Sequence, residues 1–223
     1  MTHRSRPRSI VRRNLLVASA ILAGTVVMAT GLNGATVAQA AADCVVSFGV
    51  TQTPTTVTGT SANDTIDCGG ANPAKTINGG SGNDTITGTV FDDTINGDSG
   101  NDTLTGEIGV DTLNGGLGDD TGTGSAGNDI LNGGVGDDTL SGSEGDDTLK
   151  GEDNNDTLNG DVGNDSVDGG IGTDLVSGGA DNDSLTGPPG DLAVDTLDGG
   201  AGTDVCQGPG TGMFPDSLTD CNP

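Results

Sequence analysis

The sequence has no Trp, no Tyr and only three Phe, at Phe48, Phe91 and Phe214. A packed globular core leans on aromatic and aliphatic bulk. Its absence excludes an ordinary domain, so the chain is either disordered or held by something other than a core. Histidine is also scarce: the one His is His3, so no nucleophile–His pair is possible beyond the extreme N-terminus. Basic residues are equally unusual. Five of the seven (Arg4, Arg6, Arg8, Arg12 and Arg13) precede residue 14, and only Lys75 and Lys150 follow. Every Asp and Glu lies at Asp43 or later. Such an acidic surface excludes nucleic acid and anionic lipid as partners and attracts cations.

The N-terminus explains the split in charge. A basic stretch to Arg13 precedes an apolar run from Leu15 to Ala29, followed by Ala38-Gln39-Ala40. These are the three regions of a signal peptide, predicted over 1–40 with cleavage after Ala40. The apolar run is shorter than the roughly 20 residues of a membrane span, so no membrane insertion is expected after cleavage. Arg12-Arg13-Asn14-Leu15-Leu16 hints at a twin-arginine signal, and the export route, general or twin-arginine, stays open. Asp43 directly before Cys44 argues against a lipid-anchored cysteine. The expected destination is extracellular.

What the chain does have is glycine, 42 residues of it, in strict phase. From Gly79 to Thr186 it divides into twelve blocks of nine without a gap, such as GGSGNDTIT from Gly79 to Thr87 and GGVGDDTLS from Gly133 to Ser141. The first position is always Gly. The sixth is always Asp: Asp84, Asp93, Asp102, Asp111, Asp120, Asp129, Asp138, Asp147, Asp156, Asp165, Asp174 and Asp183. The eighth is aliphatic except at Gly122. Outside this array the same pattern gives Asp64, Asp195 and Asp204, with short insertions at Cys68-Gly69, Gly187-Pro188-Pro189 and Gly208-Pro209-Gly210 breaking the phase. Degenerate copies stand at Val50 to Thr58, Gly70 to Asn78 and Thr211 to Thr219, making eighteen nonapeptides. Irregular end copies are what a solenoid needs, because its last coils have no outer neighbour. A disordered Gly/Asp chain would need acids, but not one at every ninth position.

The pattern G-G-x-G-x-D-x-U-x, with U apolar, resembles the repeats-in-toxin (RTX) calcium-binding family over nearly all of the chain after residue 49. The resemblance implies an all-β fold, a parallel β-roll or right-handed β-solenoid with two repeats per coil. It also implies that the first six residues of each repeat turn and bind calcium, while the last three form a short strand. The expected organisation is a signal peptide over 1–40, an N-terminal cap over 41–58, the roll over 59–207 and a C-terminal cap over 208–223.

The residue chemistry agrees. Glycines permit the positive φ of tight turns and leave carbonyls open to a cation. Calcium takes 6–8 hard oxygen ligands. With two repeats per coil, the sixth-position carboxylates stack about 4.8 Å apart in two ladders, one through Asp84, Asp102, Asp120, Asp138, Asp156 and Asp174, the other through Asp93, Asp111, Asp129, Asp147, Asp165 and Asp183. Carboxylates that close repel one another unless a cation separates them. One aliphatic side chain per nine residues is too little burial to offset the ordering of nine residues. Folding is therefore expected to be coupled to Ca2+, bound at about 10⁻⁴–10⁻³ M as in extracellular modules. The fifteen sixth-position aspartates are the candidate ligands.

Some positions depart from the pattern. Phe91, Asn154 and Asp181 replace the fourth-position Gly, Lys75 stands where a ligand Asp would be, and Gly122 should leave a hole in the core. Four cysteines (Cys44, Cys68, Cys206 and Cys221) flank the array. Three disulfide pairings are possible. Local pairs are expected, because the array should hold its ends about 40 Å apart. Zinc is the rival reading, without a C-x-x-C spacing to support it. The G-x-G-x-x-G match at Gly122 to Gly127 has no helical pattern after it and is a by-product of the repeat.

RTX enzymes usually carry a separate catalytic domain, and the residues outside the repeats are too few for one, so no enzyme is expected. The function expected is a calcium-dependent structural or surface-interaction module with a protein or surface partner left open. One alternative is ice or surface binding by an outward ladder of Thr pairs, from Thr85/Thr87 to Thr157/Asn159. Another is an extracellular hydrolase, which would need a substrate cleft that a uniform roll lacks.

Overall fold

The computed structural model describes residues 43–187, 195–208 and 217–221. The expected signal peptide, and the Pro188, Pro189 and Phe214 positions, lie outside them. All regular structure among the described residues is β.

Two short strands, β1 (Val45–Val46) and β2 (Thr51–Gln52), precede eighteen others, one for each nonapeptide. Six of these are three residues long: β3 (Thr56–Thr58), β4 (Thr65–Asp67), β6 (Thr85–Thr87), β17 (Ser184–Thr186), β19 (Val205–Gln207) and β20 (Ser217–Thr219). Twelve are six residues long: β5 (Thr76–Ser81), β7 (Thr94–Ser99), β8 (Thr103–Ile108), β9 (Thr112–Leu117), β10 (Thr121–Ala126), β11 (Ile130–Val135), β12 (Thr139–Glu144), β13 (Thr148–Asp153), β14 (Thr157–Val162), β15 (Ser166–Ile171), β16 (Leu175–Ala180) and β18 (Thr196–Ala201). Even-numbered strands from β4 to β20 form one parallel sheet and odd-numbered strands from β3 to β19 the other, so each coil contributes one strand to each sheet. This is a parallel β-roll with two repeats per coil.

The strands are longer than the three residues the repeat pattern suggested. A six-residue strand spans positions seven to nine and continues through positions one to three of the next repeat. Only positions four to six are left as the turn. Alternation along the strand explains the repeat. Position seven faces outward, position eight inward, position nine is half-buried, and the first-position Gly points inward again where there is no room for a side chain.

The core is a stack of single side chains. Val57, Ile66, Ile77, Ile86, Ile95, Leu104, Leu113, Leu131, Leu140, Leu149, Leu158, Val167, Val176, Leu185 and Leu197 are all buried, one per repeat. The expected hole at Gly122 is reduced by its neighbour. A Cβ built there would lie 2.9 Å from Leu140 Cδ2, so Leu140 has leaned into the space.

The first degenerate repeat behaves differently from a coil. Its strand β3 pairs in parallel with β5, but its first half folds back as β2, antiparallel to β3. β1 likewise lies antiparallel against β4. Both sheets thus end at the N-terminal side in a short reversed strand. Such a strand covers an edge that would otherwise invite pairing with another chain. The cysteines form the local pairs, Cys44–Cys68 and Cys206–Cys221, with no free thiol.

Leu131→Ala, at a fully buried rung, should cost about 2–5 kcal/mol. Gly122→Ala needs only a rotation at the tip of Leu140 and should change stability by less than about 1 kcal/mol. Urea unfolding in excess calcium distinguishes the two.

Candidate metal centre

The sixth-position aspartates are buried, although each is a carboxylate: Asp64, Asp84, Asp93, Asp102, Asp111, Asp120, Asp129, Asp138, Asp147, Asp156, Asp165, Asp174, Asp183, Asp195 and Asp204 are all at most 4% exposed. They stack in the two expected ladders. Within a ladder the backbone N–H of one Asp donates to Oδ1 of the Asp one coil on. Asp84 donates to Asp102, Asp102 to Asp120 and Asp120 to Asp138, each at 2.7 Å. The second ladder repeats this from Asp93 to Asp111 and from Asp111 to Asp129, at 2.7 and 2.8 Å. The two insertions do not break the ladders. Asp64 N–H reaches Asp84 over 20 residues at 2.8 Å, and Asp174 N–H reaches Asp195 over 21 at 3.0 Å. The stacking is kept across both.

One oxygen of each carboxylate is thus used. The other, Oδ2, is buried and lacks a hydrogen-bond donor in Asp84, Asp102, Asp111, Asp120, Asp129, Asp138, Asp147, Asp156, Asp165, Asp183 and Asp204. A buried polar atom without a partner is costly, and more so when charged. The first-position glycine explains where this oxygen lies. A Cβ built on Gly97 would stand 2.3 Å from Asp102 Oδ2 and 2.7 Å from the carbonyl oxygen of Gly115, one coil on. At Gly115 the corresponding distances are 2.4 Å to Asp120 Oδ2 and 2.6 Å to the Gly133 carbonyl. Only glycine leaves this space, and carboxylate and carbonyl oxygens border it.

Electrostatics give the same picture. Desolvation by burial pushes Asp111, Asp120, Asp156 and Asp165 up to about 7, and Asp84, Asp138 and Asp147 up to about 6. Asp102, Asp129 and Asp183 are raised for the same reason. The ladder hydrogen bond opposes burial in each case, and for most of them charged neighbours, such as Asp102 and Asp138 around Asp120, add to it. These carboxylates call for either a proton or a counter-charge.

The donor set suits a hard divalent cation. Among the described residues no three His, Cys, Asp or Glu side chains converge on one point. A cation here would draw on one or two carboxylate oxygens and on backbone carbonyls, an all-oxygen set of the kind calcium takes. Thiolate and imidazole ligands, which zinc favours, are absent from it.

The fifteen candidates are not equivalent. At Asp64, Oδ2 accepts from the Thr60 backbone N–H at 2.7 Å and the Thr60 hydroxyl at 2.9 Å. At Asp93, Oδ2 accepts from the Thr89 backbone N–H. Thr60 and Thr89 occupy position two, where the other regular repeats described at that position have Gly, Asp, Glu or Ser at positive φ, from +73° at Asp98 to +118° at Gly116. A β-branched residue resists that region, and both threonine turns take another shape. Their strands β3 and β6 stop at position nine. The signal was present in the sequence as a β-branched residue at a position otherwise held by turn formers. Asn154 and Asp181 adopt φ of +89° and +84° in place of the fourth-position Gly, so their turns keep the common shape. Phe91 belongs to the Thr89 turn. Lys75 N–H enters the second ladder by donating to Asp93 Oδ1, and its buried ammonium donates to the Pro54 carbonyl.

A family model described as RTX calcium-binding nonapeptide repeat (4 copies) matches residues 76–90, 87–122, 114–149, 123–158, 150–185 and 190–208. Together these spans cover more than half of the chain. No curated protein matches it.

The raised carboxyls set a pH dependence. A group whose pKa is higher in the folded than in the unfolded chain stabilises the fold fully below its ordinary value of 3.8 and loses that contribution as pH rises through the raised value. In EGTA, strand content by circular dichroism should therefore be greatest near pH 4 and should fall as pH climbs through about 6 to 7. Calcium affinity should change in the opposite sense, weakening from pH 8 to pH 5.5 as protons compete. A metal-free chain that gains order with rising pH would contradict this.

Proposed function

The chain belongs to the RTX calcium-binding nonapeptide-repeat family, and on that premise we propose that it is a secreted structural module whose roll folds around calcium. The observation that carries this reading is the column of buried Oδ2 atoms without donors, repeated coil after coil. Bound calcium supplies the positive charge that these carboxylates lack. The protein holds each Asp in place through the ladder bond to Oδ1 and leaves Oδ2 facing the glycine cradle. The family's chemistry and the all-oxygen donor set favour calcium over zinc. Magnesium demands near-octahedral geometry and keeps its waters, which suits a repeated carbonyl cradle poorly.

The proposed ligands are Asp84, Asp102, Asp111, Asp120, Asp129, Asp138, Asp147, Asp156, Asp165, Asp183 and Asp204, whose Oδ2 is unused, together with Asp174 and Asp195 in the same ladders. The signal peptide predicted from the sequence and the two disulfides support an extracellular, oxidising destination, where millimolar calcium is available. The role assigned is binding and support, not catalysis: the one His is His3, and the listless repetition of the roll offers no set of nucleophile and base.

A calcium titration followed by chelation, read by circular dichroism at pH 7.5, tests the reading. Most of the strand signal should appear on addition of calcium and disappear in EGTA. Equal strand content in both conditions would overturn it.

A second reading is favoured by register. On the even-numbered sheet Thr85, Thr103, Thr121, Thr139 and Thr157 are direct neighbours, as are Thr87, Thr105, Thr123 and Ser141. Two aligned rows of hydroxyls fit a periodic surface such as ice. Thr also suits exposed strands without any ligand. Measurable thermal hysteresis in the calcium-loaded protein would support surface binding, and its absence would remove it.

A further inference from the structure

We infer that the N-terminal end of the roll is closed without metal. Thr60 and Thr89 occupy the second oxygens of Asp64 and Asp93, and Lys75 stands in the aspartate's place between them. These three positions hold no calcium, and the coils around them stay folded when it is withdrawn. The inference rests on the reading that the other ladder aspartates bind calcium.

Three observations at three different residues agree. At Asp64 both oxygens are engaged by protein. Oδ2 accepts from the Thr60 N–H and hydroxyl, and the Thr60 hydroxyl is itself tied to the turn by accepting from the Ala62 N–H at 3.1 Å. At Asp93, Oδ1 accepts from the Lys75 N–H and Oδ2 from the Thr89 N–H, while the Thr89 hydroxyl accepts from the Phe91 N–H at 3.1 Å. A donor aimed at a carboxylate oxygen uses the lone pair a metal would need. It also places a partial positive charge where the metal would approach.

Lys75 completes the set. It replaces the sixth-position Asp in the repeat between those of Asp64 and Asp84, and it is 3% exposed. Burial lowers its pKa, and the charges of Asp43 and Asp93 oppose that effect. The Lys75 ammonium, whose charge interacts with those of Asp43 and Asp93, supplies covalently the positive charge that calcium supplies elsewhere, and it disfavours a second cation.

The same end carries the buried Cys44–Cys68 disulfide and the two reversed strands β1 and β2. It therefore has its own covalent staple, its own edge cover and its own counter-charge. A solenoid folds by propagation from any stable unit. This end provides such a unit in a metal-free chain, a template on which each following coil adds as calcium arrives.

Hydrogen exchange of the intact, disulfide-bonded protein in EGTA at pH 7.5 tests this. Amides over 56–67, 75–81 and 93–96, outside the Asp84 turn, should exchange about 100-fold or more slower than those over 103–186. Fast exchange throughout, with protection restored by calcium, would overturn the inference while leaving the calcium reading intact. Slow exchange throughout in EGTA would overturn the calcium reading itself. A second measurement counts bound calcium by native mass spectrometry. Asp93→Asn should bind as many ions as the parent protein, whereas Asp111→Asn should bind fewer. Equal losses in the two variants would overturn the inference.

Discussion

A carboxylate oxygen buried without a donor is a debt that recurs at nearly every coil of this protein. In an ordinary domain such an atom is an exception. Here it is built in, because the ladder bond takes Oδ1 and the glycine cradle shelters Oδ2 from water and from any N–H. The aliphatic core cannot compensate, since each repeat contributes one side chain to it. The stability of the roll depends on what neutralises that oxygen. On the proposed reading a proton serves in acid and a divalent cation at neutral pH.

The parts of the fold are arranged around this constraint. Glycine at position one makes room for the oxygen, and positive φ at position two turns the chain away from it. Aliphatic residues at position eight hold the two sheets together from inside. Position-five side chains form an outer counterpart to the Asp ladder: Asn83 Oδ1 accepts from the Asn101 N–H and Asp119 Oδ1 from the Asp137 N–H. The turn amides are thus satisfied by side chains of adjacent coils, in opposite directions along the roll at positions five and six. The consequence is a structure whose contacts run between neighbours, with local stability set by local composition.

Much of this was legible in the sequence because a nine-residue period leaves few alternatives. The two sheets, the two Asp ladders, the aliphatic column and the local disulfides all follow from phase and stacking. What the pattern did not reveal is where strand gives way to turn. Positions one to three were read as turn because the family resemblance implied it, yet in twelve repeats they extend the strand, since inter-coil pairing stabilises an extended backbone that local preference would not. Gly122 was read as a hole because the pattern treats each repeat alone, whereas Leu140 on the next coil can move into the space. The difference between Asp64 or Asp93 and the other aspartates was carried only by a β-branched residue at position two, Thr60 or Thr89, whose donors reach Oδ2, and a repeat consensus averages that position away.

The central claim is that the unused Oδ2 atoms are metal ligands. The most direct measurement is anomalous diffraction from crystals grown in calcium. The account predicts calcium peaks along both ladders at about 2.3–2.6 Å from Oδ2 of residues such as Asp102, Asp111 and Asp120. Ladders without such peaks, with Oδ2 hydrogen-bonded to water or to protein donors, would contradict it.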